Sequence, residues 1–162
     1  MRNKEVSIVR LAPMRVASLR VISITPELKA WAKMRSWAET KSLLGDLEKH
    51  PVFGFNNPPP EPGKREYGYE FWIRVGDDIE SDDVVKVKEI EGGDYAVTTC
   101  VLKEELESDF FKEHGILESW HRLGEWAKAN GYRYRGHPGL EKPHNPDAGS
   151  DMVLDLYYPI TK

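Results

Sequence analysis

Apolar and polar positions along the chain fall into short alternating runs and longer runs with a helical repeat. Residues 5–22 read as two short strands around a bend at Ala12-Pro13, with Val6, Ile8, Val9 and Leu11 before it and Ala17, Leu19 and Val21 alternating after it. Thr25-Pro26-Glu27 then predicts a helix start: Thr as N-cap, Pro at the first helical position, Glu at the positive end of the dipole. On a helical wheel Leu28, Trp31, Met34 and Ala38 form one stripe, with Lys29, Lys33 and Glu39 outside it. The helix is expected to stop near Gly45, and at the latest before Pro51. A short strand follows at Val52-Phe53-Gly54-Phe55. The segment Asn56 to Gly63 holds four prolines, which remove donors and fix φ, so it reads as an ordered or semi-rigid surface loop. Tyr67 to Val75 is a strand, and the acidic stretch Asp77 to Asp83 reads as a solvated connection.

The second half restates this order. Strands are expected over Val84 to Ile90 and Tyr95 to Leu102, then a helix from Gly115 to Asn130 ended by Gly131. A short strand at Tyr132-Arg133-Tyr134, a Pro/Gly loop through Gly149 and a last strand from Met152 to Ile160 complete it. Residues Leu11 to Ala17 sit over Ile90 to Ala96, and Trp31 and Trp37 over Trp120 and Trp126 with the same spacing. Phe53-x-Phe55 sits over Tyr132-x-Tyr134, and Glu70-Phe71-Trp72-Ile73 over Asp155-Leu156-Tyr157-Tyr158. The expected class is α+β: two strand-helix-strand-strand modules, about 5–78 and 84–162, in a pseudo-twofold pair. Each has an antiparallel sheet with its helix, and a groove lies between the modules. Neither module of about 80 residues buries an adequate core alone, so 1–162 is expected to be a single domain.

Composition narrows the function classes. Forty per cent apolar residues in a chain of 162 excludes disorder. The formal charge of −4, from 23 Lys+Arg against 27 Asp+Glu, lacks the basic excess of a nucleic-acid binder. Cys100 is the single cysteine, which excludes an internal disulfide and a thiolate metal cage and suits a reducing compartment. No apolar run reaches the roughly 18 residues of a membrane span and no secretory h-region follows the first residues, so a soluble, cytoplasmic protein is expected. Five Trp and seven Tyr are many for this length.

Candidate chemistry lies on the paired strands. Alternation puts Glu70 and Trp72 on one face of their strand, and Asp155 and Tyr157 on one face of the last strand. A carboxylate among apolar strand residues is costly to desolvate unless something compensates. Two readings fit: a groove for a lipophilic cation, held by carboxylate charge and aromatic faces, or surface carboxylates paired with an arginine such as Arg74 or Arg133. Trp31 and Trp120 lie on the apolar stripes and read as core, whereas Trp37 and Trp126 lie at the stripe edges, at a groove rim or a helix–sheet seam. The pairs His114/His121 and His137/His144 have no metal-ligand spacing, and His121 with Glu125 reads as a surface pair, so no metal is expected. There is no G-x-S-x-G elbow to support Ser-His-Asp hydrolysis and no G-x-G-x-x-G or P-loop, and no cofactor is expected. Cys100, in an apolar strand, reads as an inert buried thiol.

Taken in order, Tyr67-Gly68-Tyr69-Glu70-Phe71-Trp72-Ile73, Glu91-Gly92-Gly93-Asp94-Tyr95-Ala96-Val97 and Asp155-Leu156-Tyr157-Tyr158-Pro159-Ile160 resemble the GyrI-like small-molecule-binding family, from Val9 to Ile160. That family includes the effector domains of multidrug-responsive and AraC-type bacterial regulators. The resemblance implies bulky aromatic cations bound in the groove between modules, with a central acidic residue on the final strand. That position matches Asp155, one methylene shorter than the usual Glu, with Trp72 and Tyr157 as groove aromatics and Glu70 as the pseudo-symmetric counterpart. Only about eight residues precede the first matched strand, so a free-standing effector-binding domain is expected, without a recognition helix for DNA. The function expected on this basis is binding of an amphipathic, cationic aromatic ligand. The alternative is a hydrolase of reactive alkylating molecules that uses Glu70 or Asp155 as acid or base. A third reading is a protein partner docking at loops 56–63 and 77–83.

Overall fold

The computed structural model describes residues 5–103 and 116–162. The chain is an α+β fold that divides into two compact units. An inner unit spans Pro13–Glu91, and a split unit combines Met1–Ala12 with Gly92–Lys162. Strand β1 (Ser7–Leu11) belongs to the split unit, followed in the inner unit by β2 (Met14–Ser23), helix α1 (Pro26–Thr40), β3 (Val52–Asn56), β4 (Tyr67–Arg74) and β5 (Lys86–Ile90). The split unit continues with β6 (Gly93–Val101), α2 (Leu117–Ala129), β7 (Arg133–Tyr134), β8 (Leu140–Pro143) and β9 (Val153–Thr161).

All described pairings within the units are antiparallel. The inner sheet runs β3-β4-β2-β5; the split unit's sheet runs β1-β6-β9-β8, with β7 also on β9. Strands flanking each predicted bend exist as expected but pair elsewhere: β1 runs along β6 from Ser7↔Val97 to Leu11↔Gly93, and β5 along β2 from Ser18↔Lys86 to Met14↔Ile90. Ala12-Pro13 and Glu91-Gly92 are where the chain leaves one unit for the other.

In the inner unit α1 packs on the sheet face carrying Ala17, Leu19, Tyr69, Phe71 and Ile73. The face it buries is rotated from the predicted stripe: Ala30, Met34, Trp37 and Ala38 are buried, whereas Leu28 is 74% exposed. Trp31 is half-buried against Phe71, with ring centroids 5.4 Å apart, and Trp37, expected at the edge, lies in the core. Alanine explains the rotation. Ala30 and Ala38 let the helix approach the sheet closely, so the broad Trp31 ring sits on the flank. The second helix follows the same rule, with Ser119, Leu123 and Ala127 buried and Trp120 and Trp126 packed beside them. Cys100 is buried in that core.

Helix α1 begins after Thr25 as predicted, but the Thr25 side chain makes no capping bond; instead Ser23 Oγ accepts the Thr25 N–H at 3.1 Å. It ends at Thr40, short of the expected Gly45, because Ser42 adopts a left-handed conformation (φ 57°). The Ser42 N–H then reaches Glu39 O and the Leu43 N–H reaches Ala38 O, both at 3.1 Å, and Leu43 is buried. This is a Schellman closure with serine where glycine is usual.

One loop expectation is refined and one is corrected. Residues 77–83 are exposed apart from Ile79, as expected of a solvated connection, and are tied down through Asp82. Asp82 Oδ1 accepts the N–H groups of Val84 (2.8 Å) and Val85 (2.9 Å), its Oδ2 accepts Trp37 Nε1–H at 2.8 Å, and Ile79 is buried. These donors hold the Asp82 carboxyl below its ordinary range, the Val85 N–H foremost. The predicted Pro/Gly loop after Tyr134 contains strand β8, because fully buried Leu140 pairs opposite Tyr157 and Pro143 closes the ladder opposite Leu154. The α2 helix begins at Leu117; the predicted start at Gly115 and His114 lie outside the described residues.

Replacing Ser42 with glycine removes the left-handed strain of a side chain and is expected to stabilise the fold by about 0.5–1 kcal/mol, read as a higher urea midpoint. A lower midpoint would show that the serine side chain itself holds the turn.

Candidate functional site

The helix-free face of the inner sheet carries the first candidate pair. Because Tyr69, Phe71 and Ile73 face α1, Glu70 and Trp72 point to the opposite side. Register brings Phe55 opposite Glu70, and Phe53 and Ser18 opposite Trp72 on its two sides. Glu70 is only 4% exposed, and Trp72 is buried beside it. The carboxylate is satisfied on both oxygens. Oε2 accepts Trp72 Nε1–H at 2.6 Å, Ser18 Oγ–H at 2.8 Å and Lys88 Nζ–H at 2.8 Å. Oε1 accepts Asn57 Nδ2–H at 3.0 Å. Burial alone pushes the Glu70 carboxyl up, but the donors of Lys88, Trp72, Ser18 and Asn57 outweigh it and hold the group below its ordinary value of 4.5. The Trp72 ring meets Phe55 edge-on at 4.8 Å, and the Lys88 ammonium lies 5.5 Å from its centroid.

The proline loop supplies one of those donors, so it is part of the site's wall. The Asn57 N–H bonds to Gly68 O and the Gly68 N–H to Pro58 O, both at 2.9 Å. A Cβ at Gly68 would come 1.9 Å from Asn57 O, so only glycine lets loop and strand approach this closely.

The last strand repeats the arrangement in the split unit. Leu154, Leu156, Tyr158 and Ile160 pack toward the α2 core, leaving Asp155 and Tyr157 on the opposite face. Asp155 Oδ1 accepts Thr99 Oγ1–H at 2.8 Å and lies 2.9 Å from His144 Nε2. The Asp155 side chain is 21% exposed, wetter than Glu70. Tyr157 is buried, meets Tyr95 edge-on at 5.6 Å, and has its hydroxyl pushed up by burial and then by Asp155.

The structure therefore joins Glu70 with Trp72 and places Asp155 beside Tyr157. Trp37 is separate from the Glu70 face, on the helix side with its N–H on Asp82, and Trp126 stacks on Tyr132 at 6.1 Å. Neither carboxylate takes the arginine partner that spacing suggested; the bases are Lys88 and His144. Lys88, Ser18, Asn57, Thr99 and His144 are the residues that sequence reasoning missed. Alternation in Lys86-Val87-Lys88 was a usable signal for Lys88, since Val87 packs on the α1 core and its neighbours must face away. His121 and Glu125 form an exposed pair at 3.9 Å. No group of three or more His, Cys, Asp or Glu residues placed to hold a metal ion occurs among the described residues. No helix among them is long and apolar enough to cross a membrane.

An α+β arrangement of antiparallel strands with, among the described residues, one α-helix in each unit fits a GyrI-like domain. Residues 7–160 match the Cass2 family, the integron-associated effector binding proteins, and the chain belongs to that family. Solved structures share its fold. The EcmrR C-terminal domain is 14% identical with a TM-score of 0.67, covering 98% of this chain and 98% of that one. A chain from Listeria innocua described as a hydrolase is 13% identical with a TM-score of 0.69, covering 98% of this chain and 92% of that one. SAV2435, solved bound to tetraphenylphosphonium, is 12% identical with a TM-score of 0.50, covering 97% and 94%. Against the EcmrR chain in its DNA complex, the present chain spans 57% of the length. A search of curated proteins finds no match.

The buried Glu70 carboxylate has a stability signature. Its folded value is lowered, so its contribution is complete above about pH 4.5 and disappears as pH falls through the folded value. Wild-type stability is expected to fall on acidification below that point, and Glu70→Gln to flatten part of the slope while costing about 1–3 kcal/mol at neutral pH. Urea midpoints across the acid range read both, and parallel slopes in the two proteins would contradict the assignment.

Proposed function

We propose that this chain binds a small amphipathic aromatic molecule carrying positive charge, with the helix-free face around Glu70 and Trp72 as its principal contact. The observation that carries the reading is an ionised carboxylate, buried on a sheet face and in direct contact with an indole. Carboxylate and ring together attract a cation with an apolar body, by charge and by the negative face of the ring. Membership of an effector-binding family supports a small-molecule role. The tetraphenylphosphonium in the SAV2435 structure is a ligand of that chemistry in a protein of similar fold. Asp155 with Tyr157 offers a second face of the same type. Its carboxylate, wetter and beside His144, makes the weaker contribution.

Calorimetric titration with tetraphenylphosphonium tests the reading. Wild type is expected to bind stoichiometrically, Glu70→Gln to bind roughly tenfold or more weakly and Trp72→Leu to lose a similar factor. Asp155→Asn is expected to lose less. Equal affinity in wild type and Glu70→Gln would sink the charge assignment, and catalytic consumption of an electrophilic substrate would favour the hydrolytic alternative.

A further inference from the structure

We infer that Lys88 is a tethered competitor for the cation site: a ligand cation reaches Glu70 by displacing the Lys88 ammonium, so Lys88 sets the affinity of the site and Glu70 its preference for charge. The inference rests on the binding role proposed above. The Lys88 Nζ occupies the corner between the two groups that would attract a ligand cation, 2.8 Å from Glu70 Oε2 and 5.5 Å from the Trp72 ring centroid. The resident cation is this chain's own.

The four donors around Glu70 differ in how freely they can leave. Ser18 is buried on β2, Trp72 is on the strand that carries Glu70, and Asn57 is fastened by backbone bonds to Gly68. Lys88 arrives on a long flexible stem, and its side chain is 37% exposed against 6% for that of Glu70. Moving its ammonium into water recovers hydration, breaks one hydrogen bond and leaves the strand ladders intact. Charge bookkeeping then selects the ligand. A cation that replaces Lys88 keeps Glu70 neutralised, whereas an uncharged molecule in the same corner would leave a buried carboxylate without its counter-ion. Lys88 thus weakens binding of every ligand that enters the corner, while the buried charge of Glu70 disfavours those without positive charge.

The test is calorimetric titration of wild type, Lys88→Met, Lys88→Arg and Glu70→Gln at about pH 8, where an unpaired carboxylate stays ionised. The probes are tetraphenylphosphonium and the uncharged triphenylphosphine oxide. Methionine keeps the apolar stem and removes the charge, so Lys88→Met is expected to bind the cation roughly tenfold more tightly than wild type, the competitor's share of the site being released. Lys88→Arg keeps a resident cation and is expected to show no such gain. The preference for the cation over the uncharged probe is expected to persist in Lys88→Met and to vanish in Glu70→Gln. If Glu70→Gln weakens cation binding but Lys88→Met does not strengthen it, displacement is wrong and the binding role stands. If wild type and Glu70→Gln bind alike, or none of the proteins binds, the binding role fails and this inference fails with it.

Discussion

An ionised carboxylate taken out of water needs its hydrogen bonds returned by the protein, and Glu70 collects them from most of the inner unit. Ser18 comes from β2, Trp72 from β4, Lys88 from β5 and Asn57 from the proline loop, so one side chain ties three strands and a loop into a fixed relation. Removing one of these donors would leave the buried carboxylate short of a hydrogen bond, and removing Lys88 would leave it without its 2.8 Å ion pair. The same requirement accounts for local features that look unrelated. Gly68 lacks a side chain so that Asn57 can approach, and backbone bonds of Asn57 and Pro58 with Gly68 hold the loop against the strand.

The two units solve one packing problem in one way. Each helix lays small residues on its sheet and places a tryptophan beside them: Ala30 and Ala38 with Trp31 in α1, Ser119 and Ala127 with Trp120 and Trp126 in α2. Trp37 departs from the pattern because its indole N–H has a partner within reach, Asp82, which makes full burial affordable for a polar-tipped ring. With the helices occupying one face of each sheet, the other face is left for the carboxylates. The two carboxylates are not equivalent in chemistry. Glu70 is nearly dry and paired with a lysine, whereas Asp155 is partly wet and paired with a histidine, whose charge depends on its protonation. Each of the two carboxylates finds its base inside its own unit.

Much of this was legible beforehand. The strand periods put Glu70 with Trp72 and Asp155 with Tyr157 on shared faces, and the structure keeps those faces because alternation is a property of the extended backbone. Internal similarity and the ordered motifs led to an α+β domain of the GyrI-like type, which the family match bears out. The helix stripes were less readable. Hydrophobicity ranks leucine above alanine, so Leu28 drew the predicted stripe toward itself, whereas close approach to a sheet favours the small side chain. Strand β8 escaped notice for a similar reason: its Pro/Gly surroundings read as loop, and only the burial of Leu140 against β9 makes it a strand.

What the sequence determined by itself is local: which residues are extended or helical, which side chains share a face, and that a carboxylate stands next to an aromatic ring twice. These follow from backbone geometry over a few residues. Apart from the neighbouring ring, tertiary structure alone decided what surrounds each carboxylate, because the other partners lie well away along the chain. Ser18 and Lys88 reach Glu70 only once β2 pairs with both β4 and β5, and His144 reaches Asp155 only once β8 pairs with β9. Strand register is set by the burial of whole faces at once, and no local pattern encodes it. Whether Glu70 is a bare acid or one already holding a cation is therefore a property of the fold.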